Sequence, residues 1–366
     1  MNEQRMTETP TKRNGSSETA STAGEQQIDR PKGIQKHLST TAESGCVVGV
    51  DIGGTNLRLA LANMDGAVLT RSSCSTVNSR SAEAVAHMIR QGVQDLLEEA
   101  SLPWNALRAV AAGAPGVTDV DAGIVVATSY LMGWRDVPLR RLLETILGAP
   151  VAVDNDVNLA AHGESWAGAA KGAPDFVFLA IGTGIGAGIV LNGRPFHGSR
   201  WAAGEIGYML VPGAKDEAVE RGKPGGLEGI IGGEGIKAQW KRLWRQGATT
   251  LPENLMATEI FDGAMNGDPH AQIILQQSAR MLAAAIYNMT LVLNCPLFVL
   301  GGRVGIHPAL FEATERFLER WSARAPLRLM RSALGEDAQL MGAVRLALDT
   351  ANLRSTLSIG EPSSKK

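Results

Sequence analysis

The chain has 366 residues and a mass of 38.6 kDa, long for one compact core and short for three, so two lobes are expected. Its 35 Lys+Arg against 37 Asp+Glu leave a formal net charge of -2, which excludes a whole-chain basic field for nucleic acid and an acidic excess that would keep the chain unfolded. Glycine is over-represented, with 42 copies against a usual share of ~7%, and the copies cluster. Aromatic residues are only 5%, which argues against a carbohydrate module built on aromatic platforms.

The three cysteines, Cys46, Cys74 and Cys295, fit neither a zinc ribbon nor a disulfide framework, so a reducing, cytoplasmic setting is expected. No apolar run precedes Cys46, which speaks against a signal peptide. The most apolar stretch, Met281 to Leu300, is interrupted by Asn288, Asn294 and Pro296. It reads as a buried helix followed by a strand, not as a membrane span.

Residues 1–44 are rich in Ser, Thr, Glu and Gln and nearly free of large apolar side chains. They cannot bury enough surface to offset ordering entropy and are expected to be disordered, as are residues 353–366. Order begins with the apolar strand Cys46–Asp51, breaks at Ile52–Asn56 and resumes over Leu57–Ala62. A further strand follows over Ala67–Thr70, then a helix over Ser81–Glu99 at helical apolar spacing. A buried strand over Val110–Gly113 ends at Ala114-Pro115-Gly116, and a helix over Val137–Leu147 is stopped by Gly148 and Pro150. Val151-Ala-Val153 is a strand. The second half repeats the alternation: a strand over Asp175–Ile181, a glycine run over Gly182–Gly188, and the strand Ile189–Leu191 before the Asn192-Gly193 turn. Helices are expected at about 230–245, 257–265, 269–294, 308–322 and 337–350, with a strand over Leu297–Leu300. This alternation predicts an α/β protein with mixed sheets.

The turn Asp51-Ile-Gly-Gly-Thr-Asn56 sends a carboxylate out of a buried strand beside two glycines and a hydroxyl. Gly53 and Gly54 let backbone N–H groups approach a phosphate, Thr55 can donate to it, and Asp51 can hold Mg2+ directly or through water. A plain hairpin explains the same residues. The run Gly182-Thr-Gly-Ile-Gly-Ala-Gly188 offers a second phosphate cradle, yet it matches neither dinucleotide nor P-loop spacing. A glycine-rich turn accounts for it as well. Gly301-Gly302 ends a third strand, either to let a nucleoside lie against the backbone or as a simple strand-to-helix turn.

Asp154-Asn155-Asp156 stands at a strand end just before a helix. A carboxylate there can take a proton from a hydroxyl, the general-base role in phosphoryl transfer. Asn155 can donate and accept, which suits a sugar hydroxyl, and helix capping is the alternative use of these residues. Glu205, in Ala203-Gly-Glu-Ile-Gly207, and Glu228, in Gly226-Leu-Glu-Gly229, are single acids among apolar and glycine neighbours. If buried they need partners such as sugar hydroxyls; taken alone, each reads as surface-exposed. The six histidines form no metal spacing, and Lys241-Arg242 with Arg245 reads as a solvated helix face.

The order of these weak signals is what carries information. Val48–Asn56, Gly113-Ala-Pro-Gly116, Gly133-Trp-Arg-Asp-Val-Pro-Leu139, Asp154–Ala161, Ile181–Gly193 and Ala202–Gly207 together resemble a sugar kinase of the ROK family. That family lies within the actin/hexokinase/Hsp70 ATPase superfamily, and the resemblance runs from about Val47 to Leu348. It implies two ribonuclease-H-like lobes with the active site in the cleft between them. The lobes would span 46–155 and 156–336, with the helix at 337–350 packing back on the first. It implies a cytoplasmic glucokinase-like enzyme of carbohydrate metabolism that moves a phosphoryl group from ATP, with Mg2+, to a hexose, usually at the 6-hydroxyl.

By the same resemblance Asp156 is the catalytic base, and Asn155, Glu205, Glu228 and Gly116 contact the sugar. Asp51, Gly53, Gly54, Thr55, Asn56, Thr183 and Gly184 handle Mg2+ and phosphates, while Gly301 and Gly302 face the nucleoside. The expected partners are sugar and ATP, with no nucleic acid or membrane; homodimers are common in the resembled family. Two departures stand out. Tyr208 occupies the place of a usual His, and the loop Pro212–Gly226 holds no cysteine, so no structural zinc is expected and the sugar is left open among glucose, mannose, fructose, allose and N-acetylhexosamines. The segment Ala127–Trp134 lacks the Asn often found before Gly-Trp in the resembled family and is one or two residues longer, with Ser129 the candidate to stand in for it. A repressor of the same family would need an N-terminal helix-turn-helix of roughly 60–80 residues, whereas residues 1–44 carry no apolar helical period.

Overall fold

A computed structural model describes residues 45–77, 81–128, 131–212, 224–245, 247, 249–321 and 326–359, with 354–359 described by backbone alone. Residues 1–44 and 360–366, Ser129, and most of the loop between Pro212 and Gly226 lie outside the described residues. The first half runs β1 (Cys46–Ile52), β2 (Asn56–Asn63), β3 (Val68–Ser75), α1 (Ala82–Glu99), β4 (Leu107–Ala114), β5 (Val117–Asp119), β6 (Ile124–Ala127), β7 (Arg135–Val137), α2 (Leu139–Leu147), β8 (Val151–Asn155) and α3 (Asp156–Ala167). The second half runs β9 (Phe176–Ile181), β10 (Ile185–Leu191), β11 (Arg194–Pro195), α4 (Glu228–Ile231), α5 (Gly233–Trp244), α6 (Ala257–Met265), α7 (Pro269–Leu293), β12 (Leu297–Gly301), α8 (Gly302–Gly305), α9 (Pro308–Trp321), β13 (Arg328–Arg331) and α10 (Ala338–Ile359).

Two five-stranded sheets share one plan. The first has the order β3-β2-β1-β4-β8, the second β11-β10-β9-β12-β13. In each, the leading strand pairs antiparallel with the next strand in the chain and parallel with a later one. β1 is buried along its whole length, as expected of a strand covered on both faces. β5, β6 and β7 form a small antiparallel meander of their own.

Local signals place several boundaries. Ser81 caps α1 by accepting from the Ala84 N–H, and Asp268 caps α7 by accepting from the Ala271 N–H, with Pro269 following at the first turn. α2 ends at Gly148 in the left-handed region, φ 65°. Several boundaries differ from expectation, three of them with a clear local cause. Pro138 starts α2 later, leaving Val137 in β7. β3 extends past Thr70 to Ser75 because the whole of β2 is available to pair with it. α10 continues beyond residue 350 to Ile359, since no Gly or Pro interrupts it before Gly360.

α10 lies on the first sheet, where Val344, Ala347 and Leu348 pack on Val47, Ala60 and Ala111. α3 lies on the second, where Ala160 and Ala161 pack with Phe176, Phe178 and Val190. The two helices meet backbone to backbone. A Cβ on Gly163 would come 2.9 Å from the Gly342 N, and one on Gly342 would run into the Leu159 carbonyl. Only glycine permits that approach. α3 therefore leaves the end of β8 and reaches the second sheet, so the residues at its N-terminus are held by both.

Candidate active site

Strand pairing brings the first acids together. Asp51 on β1 pairs with Gly113 on β4, and Gly113 pairs with Asp154 on β8. At about 4.8 Å per strand spacing, Asp51 and Asp154 stand roughly 10 Å apart at one end of the sheet, with Asn155 and Asp156 beyond. Arg58 is the cross-strand partner of Asp51. Its Nε and Nη2 donate to Asp51 Oδ2 at 2.9 and 2.6 Å, and its Nη1 donates to the Glu336 carbonyl at 2.8 Å. Asp51 Oδ1 makes no hydrogen bond among the described residues, which leaves one oxygen of a fixed carboxylate for a cation. Arg58 carried no signal in the sequence beyond its alternation opposite Asp51.

The turn after β1 is closed by the Gly53 N–H donating to the Asn56 carbonyl at 2.8 Å. The N–H groups of Gly54 and Thr55 make no hydrogen bond among the described residues, and Thr55 is exposed. In the second sheet the Gly182 N–H bonds the Gly184 carbonyl at 3.0 Å, while the N–H groups of Thr183 and Gly184 have no partner among the described residues. Free N–H groups on two tight turns suit phosphate oxygens. The cradle is shorter than the glycine run suggested. β10 begins at Ile185, so Gly186 and Gly188 are strand residues. A Cβ on Gly188 would come 2.7 Å from both the Ala161 Cβ and the Val157 O of α3. Close helix packing, not a ligand, demands glycine there.

Gly301 and Gly302 have a similar explanation. A Cβ on Gly301 would strike the Phe178 ring, and Gly302, φ 73°, lies against the Ile181 backbone. The pair sits beside the Gly182 turn through the pairing of β12 with β9. Packing accounts for both glycines, so their nucleoside role rests on resemblance.

Asn155 is the N-cap of α3. Its Oδ1 accepts from the N–H groups of Val157 and Asn158 at 2.8 and 3.1 Å, and its Nδ2 donates to the Gly116 carbonyl at 2.9 Å. One amide hydrogen is left for a ligand. Gly116, φ 97°, is crowded by Thr128 at 2.8 Å from any Cβ, so no other residue could present its carbonyl this way. Asp154 is wholly engaged. Its Oδ1 accepts from the Asn155 N–H at 2.7 Å and from Asn158 Nδ2 at 3.0 Å, and its Oδ2 lies 2.9 Å from His197 Nε2. That bond raises the pKa of His197. Sequence reading left His197 and Asn158 without a role, because their partner lies far away or one helical turn back.

Asp156 is half-buried at the first turn of α3 and accepts from the Val157 N–H at 2.9 Å. Burial, followed by the negative charges of Asp51 and Glu205, pushes its pKa up to about 7. Glu205 and Glu228 are both half-buried rather than exposed. Burial and the Glu228 charge raise the pKa of Glu205. Glu228 Oε2 accepts from the Ile185 N–H at 3.0 Å, so this acid also supports the turn that carries Thr183. A small cleft is lined by Gly116, Asn155, Asn158, Gly186, Trp201 and Glu205, among others.

The arrangement is matched by known proteins. A model of the ROK family matches residues 47–350. The glucokinase of Halalkalibacterium halodurans is 31% identical over 81% of this chain and 92% of its own. The xylose repressor of Caldicellulosiruptor bescii is 22% identical over 85% of this chain and 80% of its own. The crystal structure of a ROK family glucokinase from Streptomyces griseus, in complex with glucose and AMPPNP, superposes with a TM-score of 0.70. It is 26% identical and covers 83% of this chain and all of its own. The paired sheets with their crossing helices are the actin-like ATPase fold, and the chain belongs to the ROK family.

Proposed function

We propose that this protein is an ATP-dependent hexose kinase, with glucose the leading acceptor and glucose 6-phosphate the product. The observation that carries the reading is Asp156: a half-buried carboxyl beside the Glu205 cavity whose pKa is pushed up to about 7. A base of that strength near working pH is suited to accept a hydroxyl proton. In this mechanism Asp156 takes the proton of the sugar 6-hydroxyl as that oxygen bonds to the γ-phosphorus of ATP. The bond from γ-phosphorus to the bridging oxygen breaks, ADP leaves, and the proton stays on Asp156 until it exchanges with solvent.

Glu205, Glu228 and the remaining amide hydrogen of Asn155 orient the sugar. The free N–H groups of Gly54, Thr55, Thr183 and Gly184 receive phosphate oxygens. Asp51, steadied by Arg58, would hold Mg2+, which supplies charge neutralisation on the phosphates when bound. Closure around the sugar would keep water from the γ-phosphate.

A panel of hexoses and N-acetylhexosamines assayed by ADP release, with ATP and Mg2+, tests the reading. Turnover with glucose above the other sugars is expected. Tyr208 in place of a usual His keeps mannose, fructose, allose and N-acetylhexosamines as the second reading, and a higher turnover on one of them would establish it. No turnover with any sugar, together with sequence-specific DNA binding, would replace the kinase with a repressor.

A further inference from the structure

Trp201 is unlike the other tryptophans of this chain. The remaining six all pack in or against apolar clusters: Trp104 and Trp134 under the first sheet, Trp166 under α10, and Trp240, Trp244 and Trp321 among the helices of the second half. Trp201 belongs to none of these clusters. It is half-buried and lines the cavity with Asn155, Asn158 and Glu205. The indole N–H groups of Trp104, Trp240 and Trp244 donate to the carbonyls of Leu147, Pro252 and Leu251. That of Trp201, like those of Trp166 and Trp321, makes no hydrogen bond among the described residues.

Its backbone is also unusual. Among the described residues, five non-glycine residues have a left-handed φ; four are Ser101, Asp136, Asn192 and Asn294, short polar residues common in turns, and the fifth is Trp201 at φ 56°. A bulky side chain there is an outlier that a loop keeps only where its surroundings or its function require it. The surrounding core does not require this one. The loop is anchored on both sides: His197 bonds Asp154, and the Gly204 carbonyl accepts from the Ala187 N–H at 2.9 Å. Trp201 thus lines the cavity on a backbone held on both sides.

We propose that Trp201 is a sugar-contacting residue: its ring is the platform for the apolar face of the acceptor hexose, and its indole N–H donates to a sugar hydroxyl. A pyranose presents C–H groups on its faces and hydroxyls at its edge, which is the pattern that an amphipathic indole can meet. The low aromatic content of the chain does not oppose this, because one ring suffices for one monosaccharide. The assignment rests on the cavity being the acceptor site of the proposed kinase.

The test compares the full-length wild type with Trp201→Gly and Trp201→Phe by glucose titration calorimetry without ATP, steady-state kinetics and thermal unfolding. Glycine suits the left-handed backbone, so the Tm of Trp201→Gly should equal or exceed that of wild type. Its Kd and KM for glucose should rise about tenfold or more, the worth of a lost aromatic contact and hydrogen bond, and KM should change far more than kcat. Trp201→Phe, keeping a ring, should recover most of the affinity. Wild-type turnover with glucose combined with unchanged sugar affinity in Trp201→Gly would overturn the role of Trp201 and leave the kinase standing. Weakened glucose binding in Trp201→Gly without turnover in wild type would support the role and overturn the kinase. A fall in Tm that tracks the lost affinity, or no glucose binding by wild type, would overturn the proposal.

Discussion

His197 Nε2 lies 2.9 Å from Asp154 Oδ2, and this single bond ties the loop that leads to Glu205 to the strand end that carries Asp156. Asp154 is buried, and its other oxygen is already committed to the Asn155 N–H and to Asn158. The bond thus links the two sides of the cavity through a group with no spare solvent to fall back on. The charged groups that act on His197 are Asp154, which raises its pKa, and Asp121, which does so more weakly.

His197→Ala should therefore raise the KM for sugar and cost about 1–3 kcal/mol of stability, the penalty of leaving a buried acceptor unpaired. The sign with pH follows from the raised pKa. Below the ordinary histidine pKa of ~6.5 the stabilisation is complete, and it is lost as pH rises through the higher folded value. Thermal unfolding across that range should show the wild type losing more Tm toward alkaline pH than His197→Ala does.

Asp156 has the opposite consequence for activity. A carboxyl with a pKa of about 7 is half-protonated there, so kcat/KM should rise with pH through an inflection near that value. Asp156→Asn should lower kcat by about 10²–10⁴-fold, the usual worth of a general base. Near wild-type turnover would remove Asp156 from the mechanism. Because the folded pKa exceeds the unfolded one, ionising Asp156 destabilises the fold as pH rises from about 4 to 7. The Tm of Asp156→Asn should then overtake that of wild type over the same interval, measured by calorimetry.

Glu164 is fully buried on α3. It accepts from the Ala169 N–H at 2.6 Å and the Leu334 N–H at 3.0 Å, and from the Ser332 hydroxyl. These bonds pin the segment between β13 and α10 to α3. Glu164→Ala orphans several buried donors at once and should cost about 3 kcal/mol or more, read from denaturant unfolding.

Where α3 and α10 cross, Gly342 has no room for a side chain against the Leu159 carbonyl. Gly342→Ala should destabilise by about 1–3 kcal/mol or more through overpacking, although alanine favours an isolated helix over glycine by about 1 kcal/mol. A neutral or stabilising effect in thermal unfolding would show that the helices part easily.

Much of this was open to a reader of the chain alone. The Asp51–Asn56 turn, the capped start of α7 at Asp268-Pro269 and the stop of α2 at Gly148 depend on contacts within a few residues, so spacing and residue type reveal them. Asp51 and the Asp154-Asn155-Asp156 run lie at strand ends for the same reason. The partnership of His197 with Asp154, across 43 residues, has no local signature. Neither does the use of Gly186 and Gly188 as strand residues beneath α3.

The sequence by itself determined the family, the alternation of strands and helices, and which residue types stand at each strand end, because those depend on local backbone preference and order along the chain. Only the tertiary structure decided that Asn155 spends most of its amide on capping α3. It also decided that Glu205 and Glu228 are half-buried, that Asp156 binds its proton tightly, and that Trp201 alone among the tryptophans faces the cavity outside the core. Desolvation, the field of neighbouring charges and the sharing of hydrogen bonds are set by which surfaces meet, and no spacing along the chain contains them.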